Sequence, residues 1–384
     1  MQITITAVSM FRALAITILG AIAVACLWPF HSPKNEVSWS ADRNGVQMGR
    51  YGTVMSSGSF RMPESDEDPG WSIEIWMQPS RTRAERHFFS VFSPASTDLL
   101  SLRQYADGVV VSENKEEEYT PTHKSLYVDA VFRPATPVFL TIAASGRRTS
   151  VFVDGALRKS TEVLRFSKRA LAGQFILGDS PLISDSWSGW IGGFAVYARE
   201  LSPSEVSQHF ASWSQRPPPT LTEDAHPAAL YLFKEGAGNI IHNQVRSGVD
   251  LMIPERYLVA GKLFLERPWD EYEPAWSYYK SILINVAGFV PFGFLWYGYL
   301  SLSFPQQKTR TVWTTVILGT TMSLTMEILQ GFLPTRSSGM TDIVTNTAGT
   351  TLGVVVYRLS EGVVHKILSR VHGVMDERQV PIAE

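Results

Sequence analysis

Cysteine occurs once in the 384 residues, as Cys26. That excludes a disulfide framework and any zinc or iron–sulfur centre built on several thiolates. Charge is also scarce: Asp, Glu, Lys and Arg make up 18% of the chain, below the about 25% usual for soluble domains. The formal net charge of -2 leaves no bulk positive field for nucleic acid. The 8 histidines show no metal-ligand spacing, and His31 and His242 stand isolated. Aromatic residues, by contrast, are abundant, with 20 Phe, 13 Tyr and 11 Trp, too many for a disordered chain. The apolar residues gather at the two ends of the sequence, the pattern of a membrane protein with a water-soluble middle.

The first apolar run, ALAITILGAIAVACLWPF from Ala13 to Phe30, contains no charge. About 18 residues at 1.5 Å rise nearly cross a hydrocarbon core of about 30 Å, and the uncharged Met1–Phe11 can extend the run. Arg12 before it favours an N-terminus on the cytoplasmic side. A cleaved signal peptide, or a lipoprotein signal with AVA before Cys26 as a loose lipobox, are the competing readings. The run is long for a signal peptide and lacks the usual Leu ahead of the small residues. That favours an uncleaved anchor while leaving cleavage or lipidation at Cys26 open.

The middle alternates. WSIEIWMQP (Trp71–Pro79), PVFLTIAAS, TSVFVDG, QFILGD and WIGGFAVYA each switch polarity residue by residue, with turn residues between them. Such spacing predicts an antiparallel β-sandwich over 35–213, with a hairpin turn at Asp154–Gly155. LSPSEVSQHFASW (Leu201–Trp213) predicts a short amphipathic helix capped by Ser202 or Ser204. SQRPPPTLTEDAHP, with three consecutive prolines, opens a linker and juxtamembrane segment (214–278) that holds a candidate extra strand at 229–234.

Three further apolar segments occupy 279–360, ahead of a tail at 361–384, and the helix at 1–34 completes a four-span unit. Lys308 and Arg310 lie in the loop between the first two of these segments, and Arg358, Lys366, Arg370 and Arg378 close the last. The loop at 334–341 carries only Arg336. This bias puts both termini in the cytoplasm and the sandwich outside. The expected fold is a multidomain membrane protein, with a four-span α-helical unit plus an all-β antiparallel jelly-roll sandwich.

Polar residues within the spans are the informative ones, because each costs about 2–3 kcal/mol unless partnered. Asn285 precedes Pro291 and Gly293; Glu327 and Gln330 share one helix face; Asp342 and Asn346 open the last span, followed by Gly349 and Gly353. Counting about 1.5 Å per residue puts Asn285 and Glu327 roughly 10 Å below the outer boundary, with Arg336 and Asp342 at it. All six polar groups therefore fall in the outer half of the membrane. They read as one cleft for a lipid head group, with Arg336 on a phosphate and Gln330, Asn285 and Asn346 on sugar or amide groups. The bland reading is a structural network in which Arg336 bridges carboxylates, and a close helix packing through Pro291, Gly293, Gly349 and Gly353.

Two segments resemble known families. TSVFVDGALRKS, FILGD and WSGWIGGFAVYARELSPSEVSQHF resemble the closing half of a laminin-G-like (concanavalin A-like) jelly roll, over roughly 37–213. ALYLFKEGAGNIIHNQVRSGVDLMIP (Ala229–Pro254) resembles the strand that usually opens such a domain, yet follows its closing helix. The second resemblance is to the VanZ-like family, named after a teicoplanin-resistance protein. It rests on Asn285, Pro291, Phe292, Gly293, Glu327, Gln330, Phe332, Pro334, Arg336, Asp342, Asn346, Gly349 and Gly353. That family opens with one more hydrophobic helix ending in a Pro-containing loop, for which LWPFHSP is the candidate. The resemblance implies a bacterial cell-envelope protein, with the sandwich inserted in the first external loop of a four-helix unit. It brings no residue with an established catalytic role.

The expected function is therefore binding, with no cofactor: a lipid-linked envelope precursor or amphiphilic glycopeptide in the cleft, and a cell-surface glycan or protein on the sandwich. The cellular role would be glycopeptide tolerance or surface polysaccharide handling. An intramembrane enzyme using Glu327 and Asp342 as an acid/base pair is the alternative, and a scaffold whose sandwich recruits partners is a third reading. Jelly rolls of this type often hold calcium through loop Asp and carbonyl oxygens, for which Asp179 and Asp185 are weak candidates. Glu74 has no second carboxylate at glycosidase spacing and is expected to point outward from its strand. Trp187 and Trp190 are expected to pack rather than to form a sugar platform.

Overall fold

The computed structural model describes residues 2–63, 70–96, 99–113, 124–214, 226–245, 248–272 and 274–377. Most of the Pro-rich stretch (215–225) and Arg378 with the end of the tail lie outside the described residues. The chain divides into two units, Ser32–Lys262 and a helical one made of Met1–His31 with Leu263–Glu384. The helices are α1 (Gln2–Leu27), α2 (Pro203–Trp213), α3 (Trp276–Ser303), α4 (Lys308–Gly331) and α5 (Met340–Glu377). The strands before the first long excursion are β1 (Val37–Trp39), β2 (Val46–Met48), β3 (Val54–Ser56), β4 (Trp71–Pro79), β5 (Ala84–Phe92), β6 (Leu100–Ala106), β7 (Gly108–Glu113) and β8 (Ser125–Val128). They are followed by β9 (Val138–Ala144), β10 (Thr149–Val153), β11 (Ala156–Thr161), β12 (Gln174–Leu177), β13 (Gly189–Tyr197), β14 (Ala229–Tyr231), β15 (Ile240–Ile241) and β16 (Leu251–Met252).

Two antiparallel sheets form the sandwich. One runs β1-β2-β13-β4-β9-β10-β11 with β14 also on β13, and the other runs β15-β16-β3-β12-β5-β6-β7-β8. Ile73, Ile75 and Met77 of β4 meet Phe89, Val91, Phe175 and Leu177 of the facing sheet in one core, as the pleat of alternating side chains requires. The Asp154–Gly155 step turns β10 into β11 with both residues at positive φ, 51° and 80°, the backbone that a two-residue hairpin demands. After the closing helix the chain returns to both sheets: β14 pairs with β13 and β16 with β3. The segment that resembles an opening strand thus completes the sandwich out of sequence order.

Helix α2 covers the outer face of the first sheet. Ser202 caps it through a reciprocal box, its side chain accepting from the Glu205 N–H while the Glu205 carboxylate accepts from the Ser202 N–H. Val206 and Trp213 then pack on Phe139, Phe152, Ala195 and Tyr197. A Cβ on Gly193 would stand 2.0 Å from the Trp213 ring, so the second Gly of WIGGF is what leaves room for that indole against the sheet.

The helical unit buries two apolar clusters, around Phe11 and Tyr357 and around Phe289 and Phe292, but α4 and the start of α5 turn polar faces inward and apolar faces outward. Along α4 the buried positions are Thr311, Thr315, Gly319, Met322, Ser323, Glu327 and Gln330, whereas Trp313, Ile317, Leu324, Ile328 and Leu329 are exposed. In α5, Thr345, Asn346 and Thr350 are buried while Val344, Leu352, Val355, Val356 and Leu359 face outward. Exposed apolar faces with polar side chains turned onto neighbouring helices are what a lipid solvent selects. By length and composition three helices can cross a membrane, beginning at Ala7, Trp276 and Pro305. The expected fourth span, at the start of α5, does not join them, because Thr341, Asp342, Thr345, Asn346, Thr347, Thr350 and Thr351 dilute its hydropathy. Several of those polar side chains are turned onto α3 and α4.

The α3–α5 contact is close because both helices present glycine. A Cβ on Gly293 would lie 2.0 Å from the Thr350 carbonyl, on Gly349 2.3 Å from the Val286 carbonyl and on Gly353 2.2 Å from the Val290 carbonyl. These are backbone atoms, which cannot swing aside. Gly353→Val is therefore expected to destabilise the helical unit by about 1–3 kcal/mol, the usual range for overpacking. Gly288→Ala, where nothing lies within 4 Å, should leave the unit as stable as before. Thermal unfolding in detergent reads both, and equal midpoints for Gly353→Val and the wild type would refute the close-packing argument.

Candidate functional site

The predicted polar residues gather where α1 and α4 end and α5 begins, with Asn285 reaching them from within α3. Gln330, in the last turn of α4, donates from Nε2 to the Cys26 carbonyl at 3.0 Å. Arg336 donates from Nη2 to the carbonyls of Trp28 (2.7 Å) and Ala25 (3.3 Å). Both side chains thus satisfy the free carbonyls at the C-terminal end of α1, and the guanidinium also faces the negative end of its dipole. The anticipated Arg336–carboxylate bridge is not what this arginine makes. Its Nε and Nη1 hold no partner among the described residues.

The carboxylates serve the start of α5. Glu327, 3% exposed, accepts from the Gly339 N–H at 2.8 Å, and its own carbonyl accepts from the Ser338 hydroxyl. Glu271 accepts from the Thr341 N–H at 2.9 Å, and the Met340 N–H donates to the Glu266 carbonyl. Asn285 of α3 donates to Asp342 at 2.6 Å. One turn deeper, Asn346 donates to Ser323 at 2.9 Å, and its own carbonyl oxygen Oδ1 is buried with no partner among the described residues. Cys26 lies within electrostatic reach of Glu327, Arg336 and Asp342 together. The arrangement brings five of the six predicted residues to one end of the unit, with Asn346 in the next layer. Pro291 is exposed on α3, away from the glycine contact.

Sequence reasoning missed Glu271, Ser323 and the Ser338–Gly339 step. Glu271 stands in PWDEYEPAWSYY, where aromatic residues dominate the pattern; Trp269, Tyr272, Trp276 and Tyr279 of that stretch are exposed, as an interfacial belt would be. The α1 carbonyls left no signal to find, because backbone acceptors have no residue signature.

In the sandwich, Glu74 does lie on the outer face of β4, but it is fully buried rather than solvent-facing. The reason is α2, which lies over it: His209 Nδ1 meets Glu74 Oε1 at 2.8 Å and the Tyr197 hydroxyl donates to Oε2 at 2.9 Å. Burial first, and the Glu74 charge second, push the Tyr197 hydroxyl well above the usual phenol range. Trp187 and Trp190 are 1% and 4% exposed, so neither offers a face to a sugar.

The loop after β12 holds the two aspartates. Asp185 is committed to Arg86 (3.0 Å) and to the His87 ring (2.6 Å). Asp179 is fully buried and accepts from the Ser180 and Asp185 N–H groups through one oxygen, while Tyr257 nearby donates to Ser184. With both oxygens of Asp185 taken by Arg86 and the His87 ring, the pair does not fit a calcium cradle, and among the described residues no three His, Cys, Asp or Glu side chains could hold a metal ion.

Burial pushes the Asp179 carboxyl up to about 7. Above the ordinary carboxylate range the unfolded chain has lost this proton while the folded chain keeps it. The stability from this group is therefore complete below that range and is lost as pH rises through about 7. Asp179→Asn keeps an oxygen for both amides and removes the titration. The variant is expected to be more stable than the wild type at about pH 8, by on the order of a few kcal/mol, with the gap closing below about pH 4. Unfolding followed by near-ultraviolet circular dichroism checks this; a gap that ignores pH refutes it.

Residues 230–361 match the family model described as VanZ/LLP1, and residues 53–207 match the concanavalin A-like lectin/glucanases superfamily. No curated protein matches the chain in sequence. Among solved structures, the receptor binding domain of botulinum neurotoxin C/D mosaic serotype is 14% identical, with a TM-score of 0.37 over 46% of this chain and 45% of that one. A putative carbohydrate binding protein from Bacteroides ovatus is 10% identical, with a TM-score of 0.39 over 58% of each chain. The Ruminococcus gnavus IT-sialidase CBM40 bound to alpha2,3 sialyllactose is 16% identical, with a TM-score of 0.32 over 43% of this chain and 96% of that one. The chain thus spans less than half the length of the neurotoxin domain. The chain is similar to the VanZ/LLP1 family over 230–361 and to the concanavalin A-like superfamily over 53–207, the second match lying in the stretch between α1 and α3.

Proposed function

We propose that the helical unit spans a bacterial cytoplasmic membrane four times and holds a lipid-linked or amphiphilic envelope molecule at the outer leaflet. The sandwich outside takes a glycan. Charge supports the orientation. Arg12, Lys308, Arg310, Arg358 and Lys366 lie toward one end of the helices, with Glu361 paired to Lys308 at 3.0 Å. Toward the other stand Glu266, Asp270, Glu271 and Asp342 against Arg267, Lys280 and Arg336. Basic residues collect on the cytoplasmic side, so both termini are inside and the insertion between α1 and α3 is outside. α5 crosses as the fourth span with its threonines turned inward.

One observation carries the binding reading. Arg336 uses a single nitrogen on the α1 carbonyls and keeps Nε and Nη1 as donors, at the same end of the unit as the Asn285–Asp342 pair. A phosphate or carboxylate head group suits those donors, and the exposed aromatic residues 269–279 suit its lipid neighbours. Glu327 is buried and committed to the Gly339 amide, which favours binding over acid/base chemistry with Asp342. The lectin-type superfamily of 53–207 supports a glycan on the sandwich. Sequestering an amphiphilic glycopeptide of teicoplanin type, or presenting a surface polysaccharide, are the cellular roles that follow.

Native mass spectrometry of the detergent-purified protein tests this. The wild type is expected to retain an envelope lipid that Arg336→Lys loses in large part, because the ammonium can hold the α1 carbonyls but has no second pair of planar donors. Retention of the same lipids by both proteins would return the cluster to helix packing alone.

A further inference from the structure

The net charge of -2 conceals a strongly basic stretch in the sandwich. Between 145 and 170 stand Arg147, Arg148, Arg158, Lys159, Arg165, Lys168 and Arg169, against only Asp154 and Glu162. The fold gathers them. β11 is the edge strand of its sheet and displays Arg158 and Lys159. Its far end, Thr161, pairs with Thr149, which follows Arg147 and Arg148 directly. The Thr149 hydroxyl donates to the Leu164 carbonyl, and Trp71, paired with Ala144, donates to the Ser167 carbonyl. These bonds bring the turn at 145–148 and the segment carrying Arg165 and Arg169 to the same end of the sandwich. The result is a stripe that runs down the edge strand and onto that end.

Much of this charge is unneutralised. Arg148 pairs with Glu200 at 3.0 Å, Lys159 donates to the Tyr127 carbonyl and Arg165 to the Glu162 carbonyl. Asp154 accepts from the Phe139 N–H instead of facing an arginine. Arg147, Arg158 and Arg169 are exposed and have no partner among the described residues. Charges on an edge strand also guard it against pairing with another sheet. That accounts for Arg158 and Lys159, but not for Arg147, Arg165 and Arg169, which lie off the strand.

We infer that this stripe binds an anionic polysaccharide, a linear glycan with carboxylate or phosphate groups repeated along it. The inference rests on the glycan reading of the sandwich and names the ligand's charge and the surface that takes it. Guanidinium groups match either anion through paired N–H donors. A line of them suits an extended polyanion, because each successive group adds to the same field. Leu157 and Val163, 52% and 68% exposed within the stripe, give apolar contact to the faces of sugar rings.

The full chain in uncharged detergent is titrated with polygalacturonate, with a neutral galactan of matched length and with phosphatidylglycerol vesicles. Polygalacturonate is expected to bind, and to weaken as salt shortens the screening length from about 10 Å at 0.1 M to about 3 Å at 1 M. Arg147→Glu, Arg158→Glu and Arg169→Glu combined should weaken it about tenfold or more, while Arg83→Glu, exposed elsewhere on the sandwich, should not. An unchanged unfolding midpoint in the triple variant confirms that the fold is intact. Equal binding of galactan and polygalacturonate, insensitive to the triple variant, overturns the inference and leaves the glycan reading standing. Binding to neither polymer removes both. Binding to vesicles alone, lost in the triple variant, overturns it in favour of a membrane-facing edge.

Discussion

A helix that ends in or near a bilayer must find donors for its last carbonyls. The side chains that meet α1 come from 304 and 308 residues further along the chain, Gln330 and Arg336. This constraint makes one unit of two stretches that the whole sandwich separates in sequence. It also explains why the loop after α4 is polar and short. Arg336 must reach back to α1 while Ser338 and Gly339 turn the chain into α5 over the Glu327 carboxylate. The same few residues therefore end α1 and α4 and begin α5. The binding reading uses only what remains of them, the outer donors of the arginine.

The sequence made the apolar helices and the sandwich legible, because each follows from a period or a length. Counting rise per residue could place Asn285, Glu327 and Asp342 toward one end of their helices. Who bonds to whom could not. Arg336 stands between two carboxylates in sequence, Glu327 and Asp342, and a pairing with them is the natural reading; the structure gives it backbone carbonyls of the α1 end instead. Carbonyls carry no residue identity, so no pattern could have announced them. The start of α5 illustrates the opposite limit. Averaged along the chain, the threonines of α5 look too polar to cross a membrane, yet they lie mostly on the face turned to α3 and α4.

The same loss of information affects the sandwich. Alternation along β4 correctly assigns Glu74 to the outer face, but outer is not the same as wet. A capped helix that begins at Pro203 closes over that face, and the carboxylate finds His209 and Tyr197 there. An ionisable group in such a place needs hydrogen bonds to both oxygens to offset its desolvation, and both are present. Asp179 is the contrasting case. One oxygen takes two amides and the other takes none, so burial prevails and the proton is held toward neutral pH.

Charge in this chain is sparse for a reason that whole-chain averages hide. Four helices present Val, Leu, Ile and Trp outward, so ionised side chains are excluded from a large part of the surface and must collect elsewhere. They do so with sign. The helical unit carries most of its basic residues toward one end and mixed charge toward the other, and the sandwich concentrates seven basic side chains between 145 and 170. The sum is -2, but no partner meets the sum. A polymer or head group meets the local field, within about one screening length of the surface. For that reason the near-neutral total excludes only a ligand that needs the whole molecule to be basic, such as duplex nucleic acid. It leaves room for anionic ligands at particular places, where unpaired arginines such as Arg158 and Arg169 stand clear of any carboxylate among the described residues.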